Sequence, residues 1–183
     1  MTDKKKEKYK LIVGERRFRA VRDWTKETNI LARIIEASDQ KSCRMGLIEN
    51  LQREDLCALE EINGIVGLID ITLISDISYL PSEKTPLKRV HGLLASSNIV
   101  RLRKGCGDDT RSVNDHFGRK LTPKIEEIFR NLPKKLKWQS FYRNDLPLLL
   151  GICEKVQKDA IELRLNKSQI IAPPTHSLLF LFF

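Results

Sequence analysis

A mainly α-helical, compact single domain is the fold class that this 183-residue sequence predicts, and three observations predict it. Apolar residues recur at spacings of three and four rather than two through most of the chain. Two threonine–proline pairs, Thr85-Pro86 and Thr122-Pro123, carry a capping hydroxyl followed by a residue that needs no N–H in the first helical turn. The apolar fraction of 41% is that of an ordinary globular core, and neither an internal repeat nor a long linker divides the chain. The alternative is an α+β domain with one strand at about residues 65–78.

Residues 4–10 form a lysine-rich arm, expected to be mobile, and residues 11–13 an apolar strand or tether. From about Arg17 the pattern turns helical, with Trp24, Ile30, Leu31, Ile34 and Ile35 recurring through Ala37 before Ser38-Asp39 interrupts it. Cys43, Leu47, Ile48 and Leu51 mark a second helix. Leu56, Leu59 and Ile62 continue the pattern to Asn63-Gly64, which reads as a C-cap. Residues 65–80 fit two periods. Ile69, Ile71 and Leu73 alternate with Asp70 and Thr72 as a strand would, whereas Ile62, Val66, Ile69, Leu73 and Ile77 step as a helix would. Helix is preferred because no partner strand is evident.

Pro81 closes that element, and Thr85-Pro86 opens the next, with Leu87, Val90, Leu93 and Leu94 inside and Lys88, Arg89 and His91 outside. Residues 105–118 are polar and glycine-containing and read as a loop. Thr122-Pro123 opens a helix carrying Ile125, Ile128, Phe129 and Leu132, and Pro133 ends it. Asn144-Asp145 is expected to cap a single long helix with Leu146, Leu149, Leu150, Cys153, Val156 and Ala160 as its stripe. The resulting organisation is a basic arm over 1–15, a helical domain over 16–168 and a proline-containing apolar tail over 169–183.

Charge is segregated along this framework. The net charge is +9, with 33 basic and 24 acidic side chains. Residues 1–19 carry +5, residues 84–107 carry +6 and residues 119–143 carry +6, whereas residues 27–83 carry −7. Such a surplus favours polyanionic partners, either a nucleic acid or an acidic protein surface. Three groups of cations are candidate phosphate contacts: Arg16, Arg17 and Arg19; Lys88 and Arg89 with Arg101, Arg103 and Lys104; and Lys134, Lys135, Lys137 and Arg143. Trp138, beside the last group, is a candidate for stacking on an unpaired base, with burial in the core as the competing reading.

Catalytic chemistry has little support. Gly107-Asp108-Asp109 matches a polymerase triplet but lacks the apolar strand that should follow it, and Cys106, Asp115 and His116 complete no metal-ligand spacing. There is no phosphate-binding glycine loop, no dinucleotide fingerprint and no nucleophile elbow, so neither a metal nor a cofactor is expected. The four cysteines are scattered, which fits reduced thiols in a cytoplasmic or nuclear compartment without a signal peptide, and no apolar run reaches the ~20 residues of a membrane span.

The function read from these features is non-enzymatic nucleic-acid binding in a regulatory role. RNA is favoured over DNA, since neither a helix-turn-helix nor a zinc-finger signature is evident. The alternative is an adaptor or inhibitor, such as a viral accessory factor, that uses the basic face and the apolar segment 178–183 against a protein. Homo-oligomer formation is a further option.

Overall fold

The structure is a computed structural model that describes residues 9–77, 85–106 and 113–171, with side chains described over 9–73, 85–98 and 120–171. The lysine-rich stretch before Tyr9, the Asp108-Asp109 pair and the apolar segment 178–183 lie outside the described residues. The chain is mainly helical. Among the described residues every regular element is a helix and none is a strand, so the helical choice at residues 65–77 holds.

The elements are α1 (Glu15–Trp24), α2 (Asp39–Leu51), α3 (Ala58–Ile77), α4 (Pro86–Cys106), α5 (Val113–Arg130), α6 (Trp138–Ser140), a π-helical turn (Phe141–Asp145), α7 (Leu146–Gly151), α8 (Glu154–Glu162) and α9 (Lys167–Ile171). α3 is the axis of the fold and touches α2, α4, α5, α7 and α8. Leu59, Ile62, Ile65, Val66, Leu68, Ile69 and Leu73 are all buried, and they occupy more than one face of the helix. That explains the mixed period in the sequence: a helix buried on several sides loses the narrow apolar stripe that identifies a surface helix.

Local chemistry starts several helices. The Ser38 hydroxyl accepts from the Lys41 N–H at 3.2 Å and caps α2. The Glu60 carboxylate accepts from the Cys57 N–H at 2.9 Å ahead of α3, the return half of a capping box. Thr85 caps α4 as its sequence implies, through the Lys88 N–H at 3.4 Å. Asn166 and Gln169 bond each other's backbone N–H at 3.0 and 2.9 Å, a reciprocal box that starts α9.

Five local expectations are corrected. The helix from Arg17 does not reach Ala37. It stops at Trp24, the Thr25 hydroxyl turns back to the Val21 carbonyl at 2.8 Å, and Ile30, Leu31 and Ile34 remain exposed. With no surface to bury that apolar stripe, little holds it in a helix. Asn63-Gly64 is not a C-cap but lies inside α3. A Cβ on Gly64 would sit 2.9 Å from Leu51 Cδ2, so glycine lets the end of α2 approach closely. Residues 105–118 are not one loop, because α4 runs to Cys106 and α5 starts at Val113. Pro123 falls inside α5 rather than at its start. Leu121, Ile125, Ile128 and Phe129 are all buried, and packing against α4 holds the turn on both sides of the proline. The helix after Asp145 is broken at Ile152, which is extended, and Cys153 becomes the exposed N-cap of α8. The Gln157 side-chain amide bridges the break by donating to the Leu149 and Ile152 carbonyls at 2.9 and 2.8 Å. Leu150, placed inside from the sequence, is exposed.

One largely buried ion pair locks α3 to α4, and a second, exposed charge group lies at the α2–α3 connection. Arg89 on α4 forms a two-pronged pair with Asp70 on α3, at 2.8 and 2.7 Å, with the side chains only 21% and 11% exposed. The hydrogen bond to Asp70 raises the guanidinium pKa further. In the α2–α3 connection, Arg53 grips Asp55 at 3.0 and 2.8 Å, and Arg164 approaches the same carboxylate at 4.0 Å from the end of α8. Arg164 is left-handed at φ 51, while the Leu165 N–H reaches back to the Ala160 carbonyl at 2.9 Å, a closure usually given to glycine.

Three outcomes follow from this packing. Asp70→Asn should cost about 3 kcal/mol in urea denaturation, because a largely buried guanidinium loses its counter-charge. Arg164→Gly should stabilise by about 1 kcal/mol in the same measurement, by removing the steric cost of a side chain at positive φ. The Asp55 carboxyl is held down to about 2, chiefly by its hydrogen bond from Arg53. A lowered folded value means that this pair contributes above the unfolded carboxyl value of roughly 3.9 and that its contribution disappears as pH falls through 2. An NMR carboxyl titration should find the Asp55 midpoint near 2, and Arg53→Gln should move it upward.

Candidate nucleic-acid interface

The cationic side chains are organised by the antiparallel pair α2–α3. The arm over residues 10–14 lies along α2. Lys10 pairs with Asp39 at 3.4 Å, the Ile12 carbonyl lies 3.7 Å from where a Gly46 side chain would begin, and the Gly14 N–H donates to Glu49 at 3.1 Å. Gly14 has φ 91, a conformation that glycine adopts without strain, and it turns the arm into α1. The N-terminus of α1 is therefore held beside the C-terminus of α2.

The second cationic group arrives at the same end. Lys134 donates to Glu61 in the first turn of α3 at 2.7 Å. Pro133 and Lys134 border a shallow dip in the surface lined by Leu51, Ile65, Leu132 and Leu136. The start of α1 and Lys134 thus both lie at the end of the pair where α2 stops and α3 begins, near the turn that holds Arg53 and Arg164, whereas Tyr142, next to Arg143, has its ring 5.8 Å from that of His91 on α4. The third group is set apart. Arg89 is anchored at Asp70, nine residues along α3 from Glu61, an axial offset of about 14 Å at 1.5 Å per residue.

The individual side chains differ in availability. Arg16 and Arg17 are exposed in the first turn of α1 and, among the described residues, have no hydrogen-bond or ion-pair partner. The unpaired N–H groups and dipole of that turn add to their attraction for phosphate. Arg19 is exposed but pairs with Glu15 at 2.5 Å. Lys88, Lys135, Lys137 and Arg143 are exposed. Lys134 is engaged by Glu61, and Arg89 by Asp70, so neither is a spare cation in this conformation. Arg101, Arg103 and Lys104 lie on the last turns of α4, where side chains are outside those described, as are those of Cys106, Asp115 and His116.

Trp138 is corrected outright. It is 2% exposed, and Phe141 beside it is fully buried with its ring 5.5 Å from that of Phe129, so the aromatics of this segment build the core instead of a base-stacking surface. Sequence reading missed Arg53 and Arg164, which sit far apart in the chain and meet only through Asp55. Among the described residues no cluster of three metal-ligating side chains occurs, and no helix is long and apolar enough to cross a membrane.

Comparison with known proteins gives this arrangement a context. The family profile described as the ParB N-terminal domain matches residues 1–51, a stretch that contains the arm, Gly14, α1 and α2. The chain is 27% identical over 143 residues to a probable plasmid-partitioning protein ParB of Thermus thermophilus, covering 78% of this chain and 42% of that protein. It is 41% identical over 98 residues to a nucleoid occlusion protein of Halalkalibacterium halodurans, covering 54% of this chain and 28% of that protein. It is 49% identical over 63 residues to a probable chromosome-partitioning protein ParB of Neisseria meningitidis, covering 34% of this chain and 22% of that protein. The chain spans less than half the length of these curated relatives. No solved structure matches it. These relatives are named for plasmids, chromosomes and the nucleoid, which are DNA bodies of bacteria. That overturns the preference for RNA, the adaptor alternative with its viral setting, and the nuclear location.

Proposed function

We propose that the chain is a non-enzymatic DNA-binding protein of bacterial plasmid or chromosome partitioning, acting in the cytoplasm at the nucleoid. The observation that carries this reading is the likeness to a plasmid-partitioning protein over 78% of the chain, joined by the family match over residues 1–51. The matched stretch contains Arg16, Arg17 and Arg19, the most available cations of the described surface.

In this reading Arg16 and Arg17 receive DNA phosphates at the N-terminus of α1, and Lys135 and Lys137, next to the Lys134 that pairs with Glu61, extend the contact, with Arg143 beside α4. Lys88, displaced along α3, reaches a further stretch of the same duplex. Contacts of this kind fix the position of the protein on the backbone without reading bases. Self-association of the bound chains belongs to the same reading.

Fluorescence anisotropy with a labelled DNA duplex tests it. Affinity should fall steeply as salt rises, because each neutralised phosphate releases a counterion. Replacing both Arg16 and Arg17 with Gln should flatten the plot of log affinity against log salt by about two units, the contribution of two phosphate contacts. Affinity indifferent to salt, or a matched RNA duplex bound more tightly than the DNA, refutes the proposal.

A further inference from the structure

Among the residues whose side chains are described, His91 is the only histidine, and it stands where two basic segments come together. It lies on α4 one turn after Lys88, so the two side chains are neighbours on one face of that helix. Arg89, between them, turns away to Asp70 on α3. The imidazole is half-buried against the π-helical turn, its ring 5.8 Å from that of Tyr142 and tilted by 30°. Arg143, the next residue on that turn, is exposed, and so is Lys88. Lys88 belongs to the basic segment 84–107 and Arg143 to the basic segment 119–143, and the His91–Tyr142 contact joins the two.

The charges on the surrounding elements point to an external anion. Asp70 on α3 is held by Arg89, and Asp145, at the end of the π-helical turn, by Lys167. α7 carries no titratable side chain. α5 buries Leu121, Ile125 and Ile128 and leaves Lys120, Lys124, Glu126, Glu127 and Arg130 exposed. Among the described residues neither nitrogen of His91 has a hydrogen-bond or ion-pair partner. Its flanking charges, Lys88 and Arg143, are both positive. An imidazole gains its own charge within about pH 5–8. A phosphate held by Lys88 and Arg143 is the opposite charge that favours the imidazolium, whose N–H groups both donate. A cation is also favoured beside the face of a tyrosine ring, so Tyr142 holds the imidazole in either charge state.

We infer that Lys88, His91 and Arg143 form one phosphate-binding patch on the DNA backbone, and that protonation of His91 tightens it, so that DNA affinity rises as pH falls. The inference rests on the DNA-binding reading and adds to it a contact whose strength depends on pH.

Anisotropy of a labelled DNA duplex with the whole chain, over a salt series at about pH 8 and again at about pH 5.5, tests it. The parent should bind about fivefold more tightly at the lower pH. Its plot of log affinity against log salt should steepen there by about one unit, the contribution of one further phosphate contact. His91→Gln should lose both effects, whereas His116→Gln and His176→Gln should keep them. His91→Lys, charged throughout, should show the tighter binding and the steeper slope at both pH values. A parent whose affinity or salt slope is the same at both pH values overturns the inference, as does a His91→Gln chain that keeps the difference. Binding of the duplex that ignores pH overturns this inference alone, and a chain that binds no duplex at either pH overturns the DNA-binding reading with it.

Discussion

The burial of α3 on several sides is the constraint from which the rest of the structure follows. A helix with apolar residues around most of its circumference must be enclosed, and α2, α4, α5, α7 and α8 do this. Enclosure brings Asp70 into the interior, where it is tolerable only with a counter-charge, and Arg89 on α4 supplies one with two hydrogen bonds. The same enclosure draws α2 close at Gly64, where a side chain would meet Leu51. The position of the α2–α3 turn, and with it that of the start of α1 and of Lys134, is a consequence of how α3 is covered.

The division of labour among the cations follows from this geometry. Arg89 and Lys134 neutralise acidic residues on α3, and Arg53 and Arg164 share the Asp55 carboxylate. The Arg89 and Lys134 pairs join separate elements, whereas the charges on Asp55 lie exposed at the α2–α3 connection. Arg16, Arg17, Lys135, Lys137 and Arg143 lie outside such pairs and face solvent. A basic composition is therefore two populations: one spent on the acidic block at residues 27–83, and one available to a polyanion. The stretch at 26–37 is of a third kind, because its four charges balance and Ile30, Leu31 and Ile34 are exposed.

The helices legible in the sequence were those with local start signals or one clear face. Thr85-Pro86 before α4 acts through its own side chain within one turn, so no distant residue is needed to read it, and Ser38, read only as an interruption, caps α2 by the same local means. Reading failed where a distant surface decides. Residues 25–37 have helical spacing but leave Ile30, Leu31 and Ile34 exposed, whereas residues 113–122 look like a loop and cap but continue as helix because α4 lies beside them. The break at Ile152 depends on Gln157 reaching back to two carbonyls, and periodicity carries no sign of that.

The sequence by itself determined the helical class, the segregation of charge and the arginines at the start of α1, because these are properties of composition and local spacing. Tertiary structure decided the roles of individual side chains. Trp138 has the neighbours of a stacking residue and the burial of a core residue, and only packing against Phe141, Phe129 and their surroundings separates the two. Arg16 and Arg89 are equally basic in the sequence. One is exposed at a helix N-terminus and the other locked against Asp70, because charge is a property of the residue while availability depends on what the fold places opposite it.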